Sequence, residues 1–585
     1  MTTDILLVPG IILNLVGLML ALMPAWLRRA CVALLPPLLL AYVWHLPFTH
    51  INVTWLGHQL TLLHPSNSGM LFASVFLLAL WGGGLFALQD AAPRELGAAF
   101  IYAGGAIGIA LCGDWITLFC FWELMALSST LIVWCGGQPD SERAGMRYLL
   151  IHLAGGVFLL TGISALAISD ASINLGPLQA GGYAYWLILA GILLNAGAPP
   201  FSFWIADAYP QASPSGMVFL SAFTTKTAVF VLLTAFAGEK LLIFFGIFMA
   251  FYGIVYALLE HDIRRILAYS IVNQVGFMLV AVGVGTSATL NGAHAHAAAH
   301  ILYKMVLLMG AGTILRQLGT TSALQLGRGL WRRMPKTTIC ILIGAAASMG
   351  VPFTSSFITK SVVLVGLAEA DLGLIWALML VCSAAVVFNA GGRFPWLALF
   401  APAATAPADA ELPPISDPKG LTLGAMGASA LVCLVFGWVP GWFYTLLPYP
   451  AAYHPYSAGH FIEQVQILGV AGAMFWFTRN YFYPQRGITL DTDWVLRVAL
   501  LRGWKFFLQL LGHSYARTTE MVLNSRMRSY MLIFSLHGPR GILARSWHTG
   551  SIALWVALML ASYILVYNFS APAAFNTLRE FFTQG

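Results

Sequence analysis

Charge is what this sequence has least of. Of 585 residues, 9% are Asp, Glu, Lys or Arg and 59% are hydrophobic, with a mean hydropathy of +0.81. A water-soluble chain of this length needs far more charge on its surface, which excludes that class. Cysteine is scarce too. The seven are scattered, without a CxxC or a Cys/His cluster, so neither a disulfide framework nor a metal site is expected. Nucleotide, flavin and iron–sulfur motifs are missing, so no cofactor is expected in this chain, and any redox chemistry belongs to partners. The net charge of +7 could suggest nucleic acid, but its distribution fits a membrane surface and no nucleic-acid partner is expected.

What the chain has in abundance is apolar runs of about 20 residues, each long enough to cross a bilayer core. The fold class is an all-α polytopic membrane protein. About 16 spans are expected, near 5–26, 30–46, 69–89, 96–113, 115–135, 147–168, 184–208, 215–236, 240–259, 265–285, 293–316, 337–366, 372–392, 421–447, 461–479 and 551–569. The first run is followed by Arg28–Arg29 and a second run, without a small-residue cleavage site, so it reads as a first span rather than a removed signal. About 24 of the 29 basic residues fall in odd-numbered loops or in the stretch after the fifteenth span. The positive-inside rule makes that side cytoplasmic and places both termini outside. The expected location is a bacterial-type inner membrane.

Lys226, Lys304, Lys360 and Glu123 fall within spans. Ionisable groups at that depth cost several kcal/mol unless paired or wetted, which makes them functional candidates. The plain alternative is a lysine snorkelling from a span end.

Two spans carry helix-breaking runs, NAGAPPFSFWIADA at 195–208 and MGVPFTSSFITKS at 349–361. Pro199, Pro200 and Pro352 lack the amide proton that a helix interior needs. Each interruption lies in the fourth helix of a five-span half, 96–236 and 240–392, the pattern of an inverted-repeat transporter with its site near the bilayer middle. Accidental proline kinks are the alternative. Residues 1–95 form N-terminal spans, and 393–482 further spans with a Pro/Ala-rich cytoplasmic loop at 400–420. Residues 483–550 are basic and amphipathic, with Asp491–Thr492–Asp493 as an N-cap before Trp494. Val498, Leu501, Trp504, Leu508 and Leu511 recur at helical spacing. Arg497, Arg502, Lys505, Arg517, Arg526 and Arg528 supply a polar face, so a lateral helix on the cytoplasmic surface or an ordinary helical hairpin is expected, broken by Gly538–Pro539. Residues 551–585 hold the last span and tail.

The stretch AHAHAAAHILYKMVLLMGAG, 293–312, holds the densest polar pattern. His296, His300 and Lys304 are spaced i, i+4, i+8, one stripe about 12 Å long on a helix. His294 points elsewhere, toward an outer mouth. Groups that gain and lose protons in a column suit a proton relay when water fills the gaps, and histidine titrates near neutral pH. Other readings are a metal site on HxHxxxH, a b-type haem held by His152 and His300, and satisfied core histidines.

Five stretches in order resemble the antiporter-like subunits of respiratory complex I and of Mrp-type multisubunit cation/proton antiporters. They are FCFWELMALSSTLIV (119–133), PPFSFWIADAYPQASPSGMVFLSAFTTKTAVF (199–230), EHDIRRILAYSIVNQVGFM (260–278), HAAAHILYKMVLLMGAG (296–312) and GVPFTSSFITK (350–360). LDTDWVLR (490–497) is similar to the tail of some members. The resemblance implies paired inverted five-helix repeats with broken helices 7 and 12, and a lateral helix before the last span in the larger members. It implies a proton-transfer path through Glu123, Lys226, His296, His300, Lys304 and Lys360. Other membrane subunits, protons, the lipid bilayer and Na+ as a candidate coupling ion are the implied partners. One position departs: the lysine expected nine residues before Trp204 is Asn195. Glu123 then looks to His152 in the adjacent span, or to Lys226 through water, for its partner. The expected function is a proton-translocating antiporter-type subunit of a multisubunit membrane complex. The alternatives are the membrane subunit of a bicarbonate-uptake complex and a haem or quinone redox protein.

Overall fold

The computed structural model describes residues 5–46, 50–55, 57–169, 172–326, 329–401, 415–450, 453–483, 491–492, 494, 498–499, 501–538 and 549–570. The chain forms two compact units, Met1–Asp493 and Trp494–Gly585. It is mostly helical. Among the described residues, 13 helices are long and apolar enough to cross a membrane, and three shorter apolar helices accompany them, Pro9–Leu20, Gly182–Ala196 and Pro335–Met349.

In chain order the main elements are α1 (Pro9–Leu20), α2 (Ala25–His45), β1 (Ile51–Trp55), β2 (His58–Leu63), α3 (Asn67–Ala87), α4 (Pro93–Leu111) and α5 (Trp115–Trp134). Then come α6 (Ser141–Ile168), α7 (Gly182–Ala196), α8 (Phe203–Ala208), α9 (Pro214–Ala222), α10 (Thr224–Ala235), α11 (Leu241–Leu259), α12 (Ile263–Val284) and α13 (Ser287–Leu318). The rest of the first unit holds α14 (Pro335–Met349), α15 (Ser355–Glu369), α16 (Gly373–Ala384), α17 (Leu421–Trp438) and α18 (Ala458–Thr478).

The chain departs from the all-α expectation at residues 51–63, where β1 and β2 pair antiparallel. Ile51, Val53 and Trp55 alternate with polar residues, and Gly57 takes the positive φ of 82° that the turn requires. The hairpin seats on the start of α5: the amide of Thr61 donates to Asp114 Oδ2 at 2.7 Å, and the amide of Gly113 to the Thr61 carbonyl at 2.9 Å. A second departure is the interval 215–236. It divides at Phe223 into α9 and α10 without a proline or glycine at the division. The run 337–366, by contrast, is broken where the sequence marks it and forms two helices, α14 and α15. The amides of Lys336 and Thr337 at the start of α14 donate to Asp417, at 3.0 and 2.8 Å. This carboxylate serves the free donors of the helix N-terminus from a distant part of the chain. Most of the Pro/Ala-rich loop, 402–414, lies outside the described residues.

Asp114 and Asp262 hold like places. Each caps a span through its side chain, α5 and α12, and each joins an isolated antiparallel bridge, to Asn174 and Ser322. Burial pushes the Asp262 carboxyl up, against the opposing pull of Thr321 and of the Arg264 and Arg265 groups.

Helices α9 with α10, α12 and α13 are buried around almost their whole circumference, so the polar residues they carry lie at the heart of the first unit. The α11–α12 seam closes through glycine. A Cβ on Gly246 would stand 2.6 Å from the Gly276 carbonyl oxygen, and one on Gly253 would stand 2.5 Å from the Asn273 nitrogen. Outward residues of α5, α6 and α11, such as Leu124, Leu127, Leu150, Val157, Phe244 and Phe248, are exposed and apolar, as a lipid-facing rim requires.

The second unit contains α19 (Leu501–His537) and α20 (Thr549–Ser570). Helix α19 carries Arg502, Lys505, Arg517, Arg526 and Arg528 beside Trp504, Leu508 and Leu511, the composition of an interfacial helix. It ends at Gly538 as expected; Arg497, Asp493 and Pro539 lie outside the described residues. Asp491, expected to cap the helix beginning at Trp494, lies just before residues outside the described set. Its carboxylate is buried in the first unit and accepts the hydroxyls of Tyr252 and Tyr269, each at 2.5 Å.

Candidate functional site

Helix breaks supply the acceptors on which two of the buried lysines, Lys226 and Lys360, rest. The eighth span divides at Phe223, which frees carbonyls near the end of α9. Lys226, two residues beyond Thr224, turns back and donates to the Ser221 carbonyl at 2.7 Å and to Thr225 Oγ1 at 3.1 Å. At the other end, α14 stops on Gly350 in the left-handed region, φ 77°, before α15 begins at Ser355. Lys360 donates across that break to the Ser348 carbonyl at 3.0 Å. Lys304, on the unbroken α13, reaches α12 and donates to Ser270 Oγ and to the Leu267 carbonyl. Relative exposures of 0, 0 and 3% for Lys226, Lys304 and Lys360 exclude a snorkelling role. Among the described residues, each of the three amines rests on a backbone carbonyl, and none has an ion-paired carboxylate. Carbonyls freed where a span is interrupted are the acceptors a cation at membrane depth can use.

The two histidines between them complete a column. His296 Nε2 lies 2.9 Å from Gln274 Oε1, and its Nδ1 lies 3.1 Å from Thr359 Oγ1. Gln274 turns its amide nitrogen to Asn273, so its oxygen faces the ring. The geometry assigns the proton to Nε2, with Nδ1 accepting from Thr359. His296 thereby joins α12 to α15 one residue before Lys360. His300, one turn on, has no protein hydrogen-bond partner on either ring nitrogen among the described residues, although it is fully buried. Its ring centre is 6.3 Å from that of His296 and 5.2 Å from that of Tyr303, and it stands within electrostatic reach of Lys226 and Lys304. A buried imidazole with two unpaired nitrogens between two amines is placed for water-mediated proton exchange. His294 leaves the column, as its spacing implies: its Nε2 meets Ser68 Oγ at 2.6 Å.

Glu123, His152 and Asn195 gather apart from this column, on both sides of a double glycine in α6. A Cβ on Gly156 would lie 2.1 Å from Glu123 Oε1, and one on Gly155 would lie 3.4 Å from Asn195 Nδ2. Glu123 Oε1, His152 Nε2 and both amide atoms of Asn195 are buried without a protein hydrogen-bond partner among the described residues. His152 does not take Glu123 as a direct partner. Its Nδ1 faces the Tyr148 carbonyl at 2.9 Å, and its ring stacks on Tyr148 at 3.9 Å and meets Trp204 edge-on at 4.6 Å. The ring is held by its own helix.

Sequence reasoning missed Gln274, Thr359 and Ser270, the neutral groups that hold the column, and the division at Phe223. The run Thr224–Thr225–Lys226–Thr227, polar and β-branched inside a span, was the available signal for that division. Among the described residues, no three His, Cys, Asp or Glu side chains gather as a metal-ligand set.

Comparison with known proteins follows the same segment. Residues 112–387 match the family described as NADH:quinone oxidoreductase/Mrp antiporter, TM. A probable K(+)/H(+) antiporter subunit of Rhizobium meliloti is 28% identical over 311 residues, covering 50% of this chain and 31% of that one. An Na(+)/H(+) antiporter subunit of Alkalihalophilus pseudofirmus is 27% identical over 281 residues, 45% of this chain and 57% of that one. In both cases the match spans less than two thirds of the relative's length. Among solved structures, the Mrp complex from Dietzia sp. DQ12-45-1b superposes with a TM-score of 0.72 at 21% identity, over 97% of this chain and 63% of that one, a likeness of fold.

Proposed function

Residues 112–387 belong to the NADH:quinone oxidoreductase/Mrp antiporter transmembrane family, and from that premise we propose that the chain is a proton-translocating, antiporter-type subunit of a multisubunit membrane complex. The observation that carries this reading is the buried column of three amines and two imidazoles, Lys226, His300, Lys304, His296 and Lys360, of which all but His300 are held by carbonyls, hydroxyls and one amide. A fixed ion pair would trap the charge. Neutral acceptors hold an ammonium while it is charged and release the amine when it is not. A proton on Lys226 passes through His300 to Lys304 and on to Lys360, with water closing the gaps.

The two halves, 96–236 and 240–392, are inverted repeats in this reading. Support comes from the matched Asp114–Asn174 and Asp262–Ser322 bridges and from the left-handed Gly197 and Gly350 that end α7 and α14. The basic loops face the cytoplasm across a bacterial inner membrane, both termini lie outside, and α19 lies on the cytoplasmic surface. Partners are other membrane subunits, with protons as the transported ion and Na+ as a candidate coupling ion.

Lys304→Ala and Lys360→Ala test the reading. Each should abolish ion-coupled proton flux in vesicles while the complex still assembles. A variant that transports at the normal rate removes its lysine from the path.

A further inference from the structure

A second polar group lies next to Lys226, outside the lysine–histidine column. Tyr102 from α4, Tyr148 from α6, Ser129 from α5 and Thr224 at the start of α10 bring four hydroxyls together, each residue at most 1% exposed. Tyr102 Oη lies 2.5 Å from Thr224 Oγ1, and Thr224 Oγ1 lies 3.4 Å from Tyr148 Oη. Tyr148 Oη donates to Ser129 Oγ at 3.0 Å, and Ser129 Oγ to the Met125 carbonyl at 2.7 Å. The hydroxyl of Tyr209, on the segment 207–213, stands beside those of Tyr102 and Tyr148. The division at Phe223 makes this possible. It leaves the Thr224 amide without a partner inside its helix, and Tyr102 Oη accepts it at 3.0 Å. Tyr102 is then a donor or acceptor to Thr224 Oγ1, and Thr225 Oγ1, one residue on, already holds the Lys226 amine.

Four hydroxyls around one broken helix exceed what capping needs. Tyr102 Oη serves the amide, and all four hydroxyls are also linked in one hydrogen-bonded chain. Each hydroxyl is both donor and acceptor, the property a proton-passing chain requires and an ion-paired group lacks. We propose that Tyr148, Thr224 and Tyr102 form a hydroxyl relay that delivers protons to Lys226 from the side of the membrane on which residues 207–213 lie. The relay rests on the proton-translocating function argued above. In one passage a proton binds the Tyr148 or Tyr102 oxygen as that hydroxyl's own proton leaves for Thr224 Oγ1. The Thr224 proton leaves in turn through a water to the neutral amine of Lys226. Every O–H bond broken is matched by one formed, the amine becomes an ammonium, and the hydroxyls rotate back for the next proton. No residue is oxidised and no phenolate persists.

The experiment uses the assembled complex in vesicles with a pH dye inside, and compares wild type, Tyr148→Phe, Thr224→Val, Thr224→Ser and Lys304→Ala. The Phe and Val variants keep ring and shape and lose only the hydroxyl. A relay predicts that Thr224→Val lowers the initial flux about tenfold, that Tyr148→Phe lowers it by less, and that Thr224→Ser restores it. Wild type and Thr224→Ser should both slow in D2O. If thermal stability falls in the Phe and Val variants while flux per folded complex stays at the wild-type value, the hydroxyls are caps and the relay is overturned. If wild type passes no more protons than Lys304→Ala, the functional reading fails and the relay with it.

Discussion

The Asp491 carboxylate accepts the Tyr269 hydroxyl at 2.5 Å, and Tyr269 is the residue before Ser270, whose hydroxyl receives the Lys304 amine. The same carboxylate accepts Tyr252 from α11, so one side chain close to the second unit ties α11 and α12 together. A hydrogen bond to a charged group contributes about 1.5–3 kcal/mol. Asp491→Ala should therefore lower the unfolding midpoint of the complex more than Tyr252→Phe does, and speed trypsin cleavage between residues 479 and 502. Equal midpoints for Asp491→Ala and wild type would show that the tether does not hold in the membrane.

Gly156 offers a test of Glu123 that leaves the carboxylate in the sequence. The Cβ added by Gly156→Ala would stand 2.1 Å from Oε1, and the flexible end of Glu123 is what must move. Assembly and midpoint should stay close to wild type while proton flux falls several-fold. Unchanged flux would place Glu123 outside the path.

Asn195 and Glu123 flank the same double glycine, and neither amide atom of Asn195 has a protein partner among the described residues. An ammonium at 195 should therefore find the carboxylate. In a double-mutant cycle of Asn195→Lys and Glu123→Gln, unfolding midpoints should give a coupling of about 1–2 kcal/mol. A coupling near zero would mean that positions 123 and 195 do not share a site.

At the β-hairpin, His64 Nδ1 meets His50 Nδ1 at 2.8 Å with the rings stacked. Burial, and then the neighbouring His50, hold the His64 pKa below its ordinary value of 6.5. The folded hairpin thus prefers neutral His64. Its contribution to stability is fully present above pH 6.5 and is lost as the pH falls from there through the depressed value. Hydrogen exchange at the amides of 58–64 should quicken on acidification through that window in wild type and not in His64→Gln. The same acceleration in both would assign the effect elsewhere.

How much of this the sequence disclosed depends on the kind of signal. The breaks near Gly197 and Gly350 were legible because proline and glycine mark them in the chain. The stripe of His296, His300 and Lys304 was legible because helical spacing is a local property. The division at Phe223 was not, since its freed backbone groups are claimed by Tyr102, from a distant helix, and by Lys226 turning back on its own. Asp491 has the local form of a helix cap, Asp–Thr–Asp before a hydrophobic run; that it also accepts two tyrosines more than 200 residues away in the chain has no local signal. The direct pairing of His152 with Glu123 was not legible either, since the ring is held by the Tyr148 carbonyl and by stacking on Tyr148 and Trp204.

The carbonyls of Ser221, Leu267 and Ser348 belong to the backbone, so whichever side chain stands at those positions, the acceptor remains. A scan of side-chain substitutions would find the lysines, Thr225 and Ser270 and pass over the carbonyls. Removing the acceptor means changing the main chain itself, by an amide-to-ester replacement or by a residue that closes the gap between α9 and α10. In this membrane core, the counterpart of each ammonium is written in the path of the polypeptide rather than in its alphabet.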